Sequence, residues 1–189
     1  MKLERVLPYV KTLLKSSVSP GDIVIDGTAG NGHDTLFLAE LVGSTGHVYA
    51  FDVQQAAIEA TVLRVAEWKD SVTVIHAGHE TISSYITKEI SAAVFNLGYL
   101  PGKDHLIITQ PHTTIEAIES CLHLLKVNGL IVLVVYHGHE GGDKEREDLL
   151  NYVSNLPQSF VHVLKYEFVN QQNHPPFVLV IEKMKHQEK

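Results

Sequence analysis

Apolar residues along this chain switch between two periods. Clusters of β-branched and aromatic residues recur at DIVIDG (22–27), HVYAFDV (47–53), SVTVIH (71–76), ISAAVFNLGYL (90–100), LIVLVVYHG (130–138), FVHVLKYEFV (160–169) and PFVLVIEK (176–183). Each reads as a strand or contains one. Apolar positions fall instead at helical spacing over TLFLAELV (35–42), QQAAIEATVLRVAEW (54–68), TTIEAIESCLHLLKVNG (113–129) and KEREDLLNYVSNL (144–156). The third of these helices is expected to end at a glycine cap. The fifth strand is apolar throughout, which suits the interior of a sheet. The last two strands have only a polar loop between them, as in an antiparallel hairpin at a sheet edge.

Strands alternating with helices predict a doubly wound, mostly parallel sheet with helices on both faces. Seven strands closing in an antiparallel edge hairpin match the Rossmann-like class I methyltransferase fold. The 189 residues read as a single domain, 1–189, with residues 1–16 forming a helical segment placed to cover a site. Hydrophobic content of 44% with 20% charged residues is ordinary globular composition. Cys121 is the sole cysteine, which excludes an intramolecular disulfide and fits a cytoplasmic location. The first fifteen residues lack the apolar core of a signal peptide, and no run approaches the ~20 residues of a membrane span. A net charge of −7 argues against coating DNA or RNA by bulk electrostatics. Positive charge is nevertheless concentrated near the start, where Lys2, Arg5, Lys11 and Lys15 oppose only Glu4.

The turn after the first strand, DGTAGNGHDT (26–35), is where a doubly wound sheet meets its cofactor. Gly30 and Gly32 permit positive φ and close approach of a ligand to the backbone. The helix starting near His33 aims free N–H groups at the same place. A dinucleotide fingerprint would need glycine or alanine where Thr35 stands, and Asp26 and Asp34 would repel a pyrophosphate. S-adenosylmethionine carries a sulfonium and an amino group and no phosphate, so carboxylates favour it over NAD. Asp52 ends the second strand, where a carboxylate can accept both ribose hydroxyls, and Gln54 can reach the same ribose or the adenine edge.

The fourth strand ends in Asn96-Leu97-Gly98-Tyr99. This is similar to the Asn/Asp-Pro-Pro-Tyr/Phe motif of methyltransferases that act on amino groups, with both prolines replaced. An amine needs acceptors for its N–H groups to aim its lone pair at a methyl donor, and the Asn96 carbonyl supplies one. Tyr99 is placed to stack on a base. After the fifth strand, YHGHEGGDKE (136–145) forms a glycine-rich loop in which His137 or His139 can orient substrate or receive a proton. His137, His139 and Glu140 lack the i, i+4 spacing of a helical zinc motif, and no matching ligand set stands out elsewhere, so no metal is expected. NQQNHPP (170–176) reads as a rigid polar turn.

DGTAGNGHDT, FDVQ (51–54), FNLGY and the closing NQQNHPPF together resemble small class I methyltransferases known as putative rRNA methylases. The resemblance is closest to the MnmM (YtqB-like) tRNA 5-(aminomethyl)-2-thiouridylate methyltransferase family, and it spans nearly the whole chain. Thr28 stands where the wider class has its first glycine, as in that subgroup. The resemblance implies cofactor contacts by Asp26, Thr28, Gly30, Asn31, Gly32, Asp34 and Thr35, by Asp52 with Gln54, and by His79 where the wider class often has an acidic residue. It places the 136–145 loop at the active-site rim. It also implies methylation of 5-aminomethyl-2-thiouridine, with the tRNA anticodon loop as partner. A homodimer would extend the RNA-binding surface. Competing readings are another RNA position such as one in rRNA, a small-molecule amine, an NAD-dependent oxidoreductase, or a non-catalytic S-adenosylmethionine-binding module.

Overall fold

The computed structural model describes residues 2–98, 109–138 and 142–185. Tyr99 and His139 lie outside the described residues, as do Glu140 and most of the segment following Gly98. Among the described residues seven strands, β1 (Ile23–Asp26), β2 (His47–Asp52), β3 (Val72–His76), β4 (Ile90–Leu97), β5 (Leu125–Val135), β6 (Val161–Tyr166) and β7 (Phe177–Lys183), form one sheet in the order β3-β2-β1-β4-β5-β7-β6. Every pairing is parallel except those of β7, which is antiparallel to both β5 and β6. The final hairpin is therefore present, with its second strand tucked inward beside β5.

Among the same residues, six α-helices cover the sheet: α1 (Val6–Ser17), α2 (His33–Val42), α3 (Gln55–Arg64), α4 (Ile82–Tyr85), α5 (Pro111–Leu124) and α6 (Gly142–Ser154). The period of two along the strands sorts the core. Val24, Val48, Ala92, Val94, Val132 and Val134 pack against α1 and α2 on one face, while Ile25, Phe51, Ala93, Phe95, Ile131 and Leu133 meet α4, α5 and α6 on the other. Helix α1 contributes Val6, Val10 and Leu14, a four-residue spacing that makes one apolar stripe. Its outer side is tied to β6, where Tyr9 stacks on Tyr166 at 4.0 Å between ring centroids and the Tyr166 hydroxyl donates to the Glu4 carbonyl.

The helix expected over 113–129 is shifted and shortened. It starts at Pro111, whose missing N–H costs nothing in the first turn, and ends at Leu124. Gly129 is not its cap. The chain enters β5 at Leu125, crosses a register shift opposite Ile90–Ala92 with Asn128 at φ 65°, and passes so close to β4 that a Cβ on Gly129 would lie 2.8 Å from the Ser91 carbonyl oxygen. Carbonyls left without a helical partner at the end of α5 are met by Lys183, whose buried ammonium donates to Leu122 O at 2.9 Å and Leu125 O at 2.6 Å.

Candidate active site

A cavity of about 1250 Å³ opens beyond the carboxyl ends of β1, β2, β4 and β5, the place a doubly wound sheet reserves for ligands. Its walls are the β1–α2 turn, Asp52–Gln54, Ala77–Glu80, Asn96–Gly98 and the segment after β5, with one side of α1 closing it through Leu7, Val10, Lys11 and Lys15. Lys11 and Lys15 stand over the Phe37 ring, at 5.0 and 5.9 Å from its centroid. Of the basic residues near the start, Lys11 and Lys15 thus border the cavity.

The β1–α2 turn is built from the inside. Asp26 is fully buried and accepts hydrogen bonds from the Thr35 hydroxyl (2.6 Å) and the Thr28 amide (3.2 Å). Burial, then the neighbouring Asp34 charge, raises its pKa to about 7 against the two hydrogen bonds. Gly30 (φ 55°) and Gly32 (φ 76°) take the left-handed conformations that the turn requires. At Gly32 a Cβ would also lie 2.9 Å from the Thr61 Cα, so glycine lets the turn rest on α3. Asp26, Gly32 and Thr35 shape the turn from behind and are not among the residues that line the cavity.

Thr28, Gly30, Asn31, Asp34, Asp52, Gln54 and His79 do line it. The Asp52 carboxylate is held by the Gly30 and Gln54 amides, each at 2.9 Å, one on each oxygen. A carboxylate has about four lone-pair sites, so each oxygen keeps capacity for a further donor. His79 is buried, and its Nδ1 lies 3.2 Å from the Gly27 carbonyl oxygen. A carbonyl only accepts, so Nδ1 carries the proton and Nε2 keeps its lone pair. Nε2 is buried with no partner, and burial lowers the ring's pKa despite opposing contributions from Gly27, Glu80 and Asp52. A neutral acceptor thus stands where the wider class often has a carboxylate.

At the end of β4, the Asn96 amide is locked. Its Nδ2 donates to Asp34 Oδ2 at 2.8 Å, and its main-chain N–H donates to the Thr28 hydroxyl at 2.6 Å. The amino group is engaged, so the carbonyl Oδ1 is the free acceptor. Asp34, expected as a cofactor contact, is here the partner that fixes Asn96. Gly98 follows at φ 136°, donating its N–H to the Thr109 hydroxyl. His137 lines the far rim, and His174, which the sequence marks only as part of a rigid turn, stands there with it. Tyr136 at the end of β5 and Thr109 also line the cavity, beyond the residues that the motifs single out. The strand-end rule points to Tyr136; nothing in the sequence spacing marks Thr109.

Residues 48–182 match the family model described as "Putative rRNA methylase". A putative rRNA methylase from Clostridium thermocellum superposes with a TM-score of 0.95 at 40% identity, covering 97% of this chain and 100% of that one. A putative methyltransferase from Streptococcus mutans, solved in complex with SAH, gives a TM-score of 0.89 at 41% identity over 96% of this chain and 99% of that one. Among curated proteins, the chloroplastic tRNA (mnm(5)s(2)U34)-methyltransferase of Arabidopsis thaliana is 36% identical over 178 residues, 88% of this chain. The chain spans 65% of that relative's length.

Proposed function

The chain belongs to the putative rRNA methylase family, and from that premise we propose that it is an S-adenosylmethionine-dependent N-methyltransferase. Its substrate is the aminomethyl nitrogen of 5-aminomethyl-2-thiouridine in the tRNA anticodon loop. The observation that carries the reading is Asn96, whose side-chain NH2 donates to Asp34 and so leaves its carbonyl oxygen free in the cavity that Asp52 and His79 also line. The name of the Arabidopsis relative supports the wobble uridine as substrate, and the SAH complex of the Streptococcus relative supports the cofactor.

The donor set fits that cofactor. Asp52 retains acceptor capacity for ribose hydroxyls, and the orphaned His79 Nε2 suits the exocyclic amine of adenine. The cavity exceeds the ~300–1,000 Å³ of an ordinary ligand pocket, leaving room for a nucleobase beside the cofactor. When bound, S-adenosylmethionine supplies an electrophilic methyl group. The chain supplies alignment. Asn96 Oδ1 accepts an N–H of the neutral amine and directs its lone pair, Asp34 and Thr28 prevent Asn96 from turning, and α1 excludes water from one side. A wobble base in a single-stranded loop is inexpensive to splay into such a pocket. A homodimer would extend the RNA-contacting surface of so small a domain, and a monomer mass in sedimentation at working concentration would remove that part of the reading.

The test is methylation of bulk tRNA from cells lacking this protein, digested to nucleosides and followed by mass spectrometry. Conversion of 5-aminomethyl-2-thiouridine to its methylaminomethyl form, dependent on S-adenosylmethionine and abolished by Asp52→Ala, is the expected result. Cofactor binding without conversion of confirmed substrate nucleoside would redirect the assignment to another RNA position or a small amine.

A further inference from the structure

The rim opposite α1 gathers side chains from three separate places. His137 follows β5, Asp143 begins α6, and His174 lies on the β6–β7 connection. Each offers one ligating atom, and these atoms lie within 4.8 Å of one another. We infer that this cluster is a binding site for a borderline divalent cation of the zinc class, with an open coordination position facing the cavity.

The chemistry of His137 is the first support. Its Nε2 lies 3.2 Å from the Pro175 carbonyl oxygen. That oxygen can only accept, so Nε2 carries the proton and Nδ1 presents a lone pair. Nδ1 is buried without a hydrogen-bond partner, in a residue only 8% exposed, and points toward Asp143 Oδ1 at 3.9 Å. Metal-ligating histidines are commonly fixed in this way, with the far N–H anchored on a backbone carbonyl.

Backbone geometry is the second support. Asn173 and His174 hold φ of 65° and 50°, sparsely populated values for residues with a side chain, and this brings the His174 ring to 5.6 Å from His137 between centroids. Gly142 begins α6 so close to the loop that a Cβ there would lie 2.6 Å from the His137 carbonyl oxygen. Only glycine lets the helix start here and present Asp143. Two imidazoles and a carboxylate suit zinc and its neighbours better than calcium or magnesium, which prefer oxygen. Bonds of about 2.0–2.1 Å in a tetrahedron separate ligand atoms by about 3.3 Å. The exposed Asp143 and His174 side chains close the remaining gap by small rotations. A fourth position would face the cavity, because His137 and His174 line it.

The test is titration of tag-free, chelator-treated full-length protein with Zn²⁺ by calorimetry, with Co²⁺ absorption as a second readout. The expected result is one tight equivalent and a Co²⁺ spectrum of low coordination number, with affinity weakened at least tenfold by His174→Ala and by Asp143→Ala. Both residues are exposed, and an unchanged melting temperature without metal confirms that the variants fold. Wild-type binding no tighter than that of either variant would overturn the site, as would a full equivalent retained by the double variant.

Discussion

Asp26 combines complete burial with a proton affinity near neutrality, and this couples the shape of the cofactor turn to pH. Its pKa is raised from 3.8 to about 7, so the folded protein binds a proton that the unfolded chain releases. The stability associated with that proton is present below about pH 4 and is lost as pH rises toward 7. Three units correspond to roughly 4 kcal/mol at most. Asp26→Asn should therefore gain stability relative to wild type between pH 5 and 8, measured by urea unfolding at both values; a constant difference would mean that Asp26 stays ionised. Asp34 acts on the next layer. Asp34→Ala should release Asn96 and lower the methyl-transfer rate about 10- to 100-fold, on the scale of a misplaced reacting group. Cofactor affinity should change little; equal loss of both would make Asp34 a cofactor ligand. The sequence shows that Asp26, Asp34, Thr35 and Asn96 belong to strand ends and turns. It does not show which carboxylate turns inward, because Asp26 and Asp34 are separated by tertiary contacts to Thr35 and Asn96 rather than by spacing.

Elements are legible wherever period and punctuation agree. The buried β-branched strands and the amphipathic α1 and α6 follow from their patterns. Around Gly129 the signals conflict, since a glycine after a helical run marks a cap as readily as a close strand approach. Tertiary packing decides it: Leu125 pairs with Ile90, the chain shifts register before Leu130 pairs with Ala92, and Lys183 supplies the cap from β7. Lys183→Met should leave those two carbonyls without their donor and destabilise the fold by about 1–3 kcal/mol in chemical denaturation, with β7 otherwise intact. A change below about 0.5 kcal/mol would show that water replaces the ammonium. The His137–His174 meeting is equally invisible in sequence, because 37 positions separate the two and the turn over 170–176, though legible, carries no sign of what it packs against.

At the scale of the whole molecule, a chain of net charge −7 keeps Lys11 and Lys15 at the mouth of its cavity. Among the described residues, no helix is long and apolar enough to cross a membrane. If the two lysines meet the RNA backbone, Lys11→Glu with Lys15→Glu should weaken tRNA binding and flatten its salt dependence by about 0.7 for each phosphate no longer neutralised. An unchanged slope would leave them only packing on Phe37. The most direct test is a single-turnover reaction with two anticodon stem-loop RNAs, identical except that one carries 5-aminomethyl-2-thiouridine and the other uridine at the wobble position. With saturating S-adenosylmethionine, methyl transfer should occur only to the first RNA and should fall sharply in Asn96→Ala while cofactor affinity holds. Equal transfer to both RNAs, or full activity in Asn96→Ala, would contradict the assignment of this cavity to the aminomethyl nitrogen.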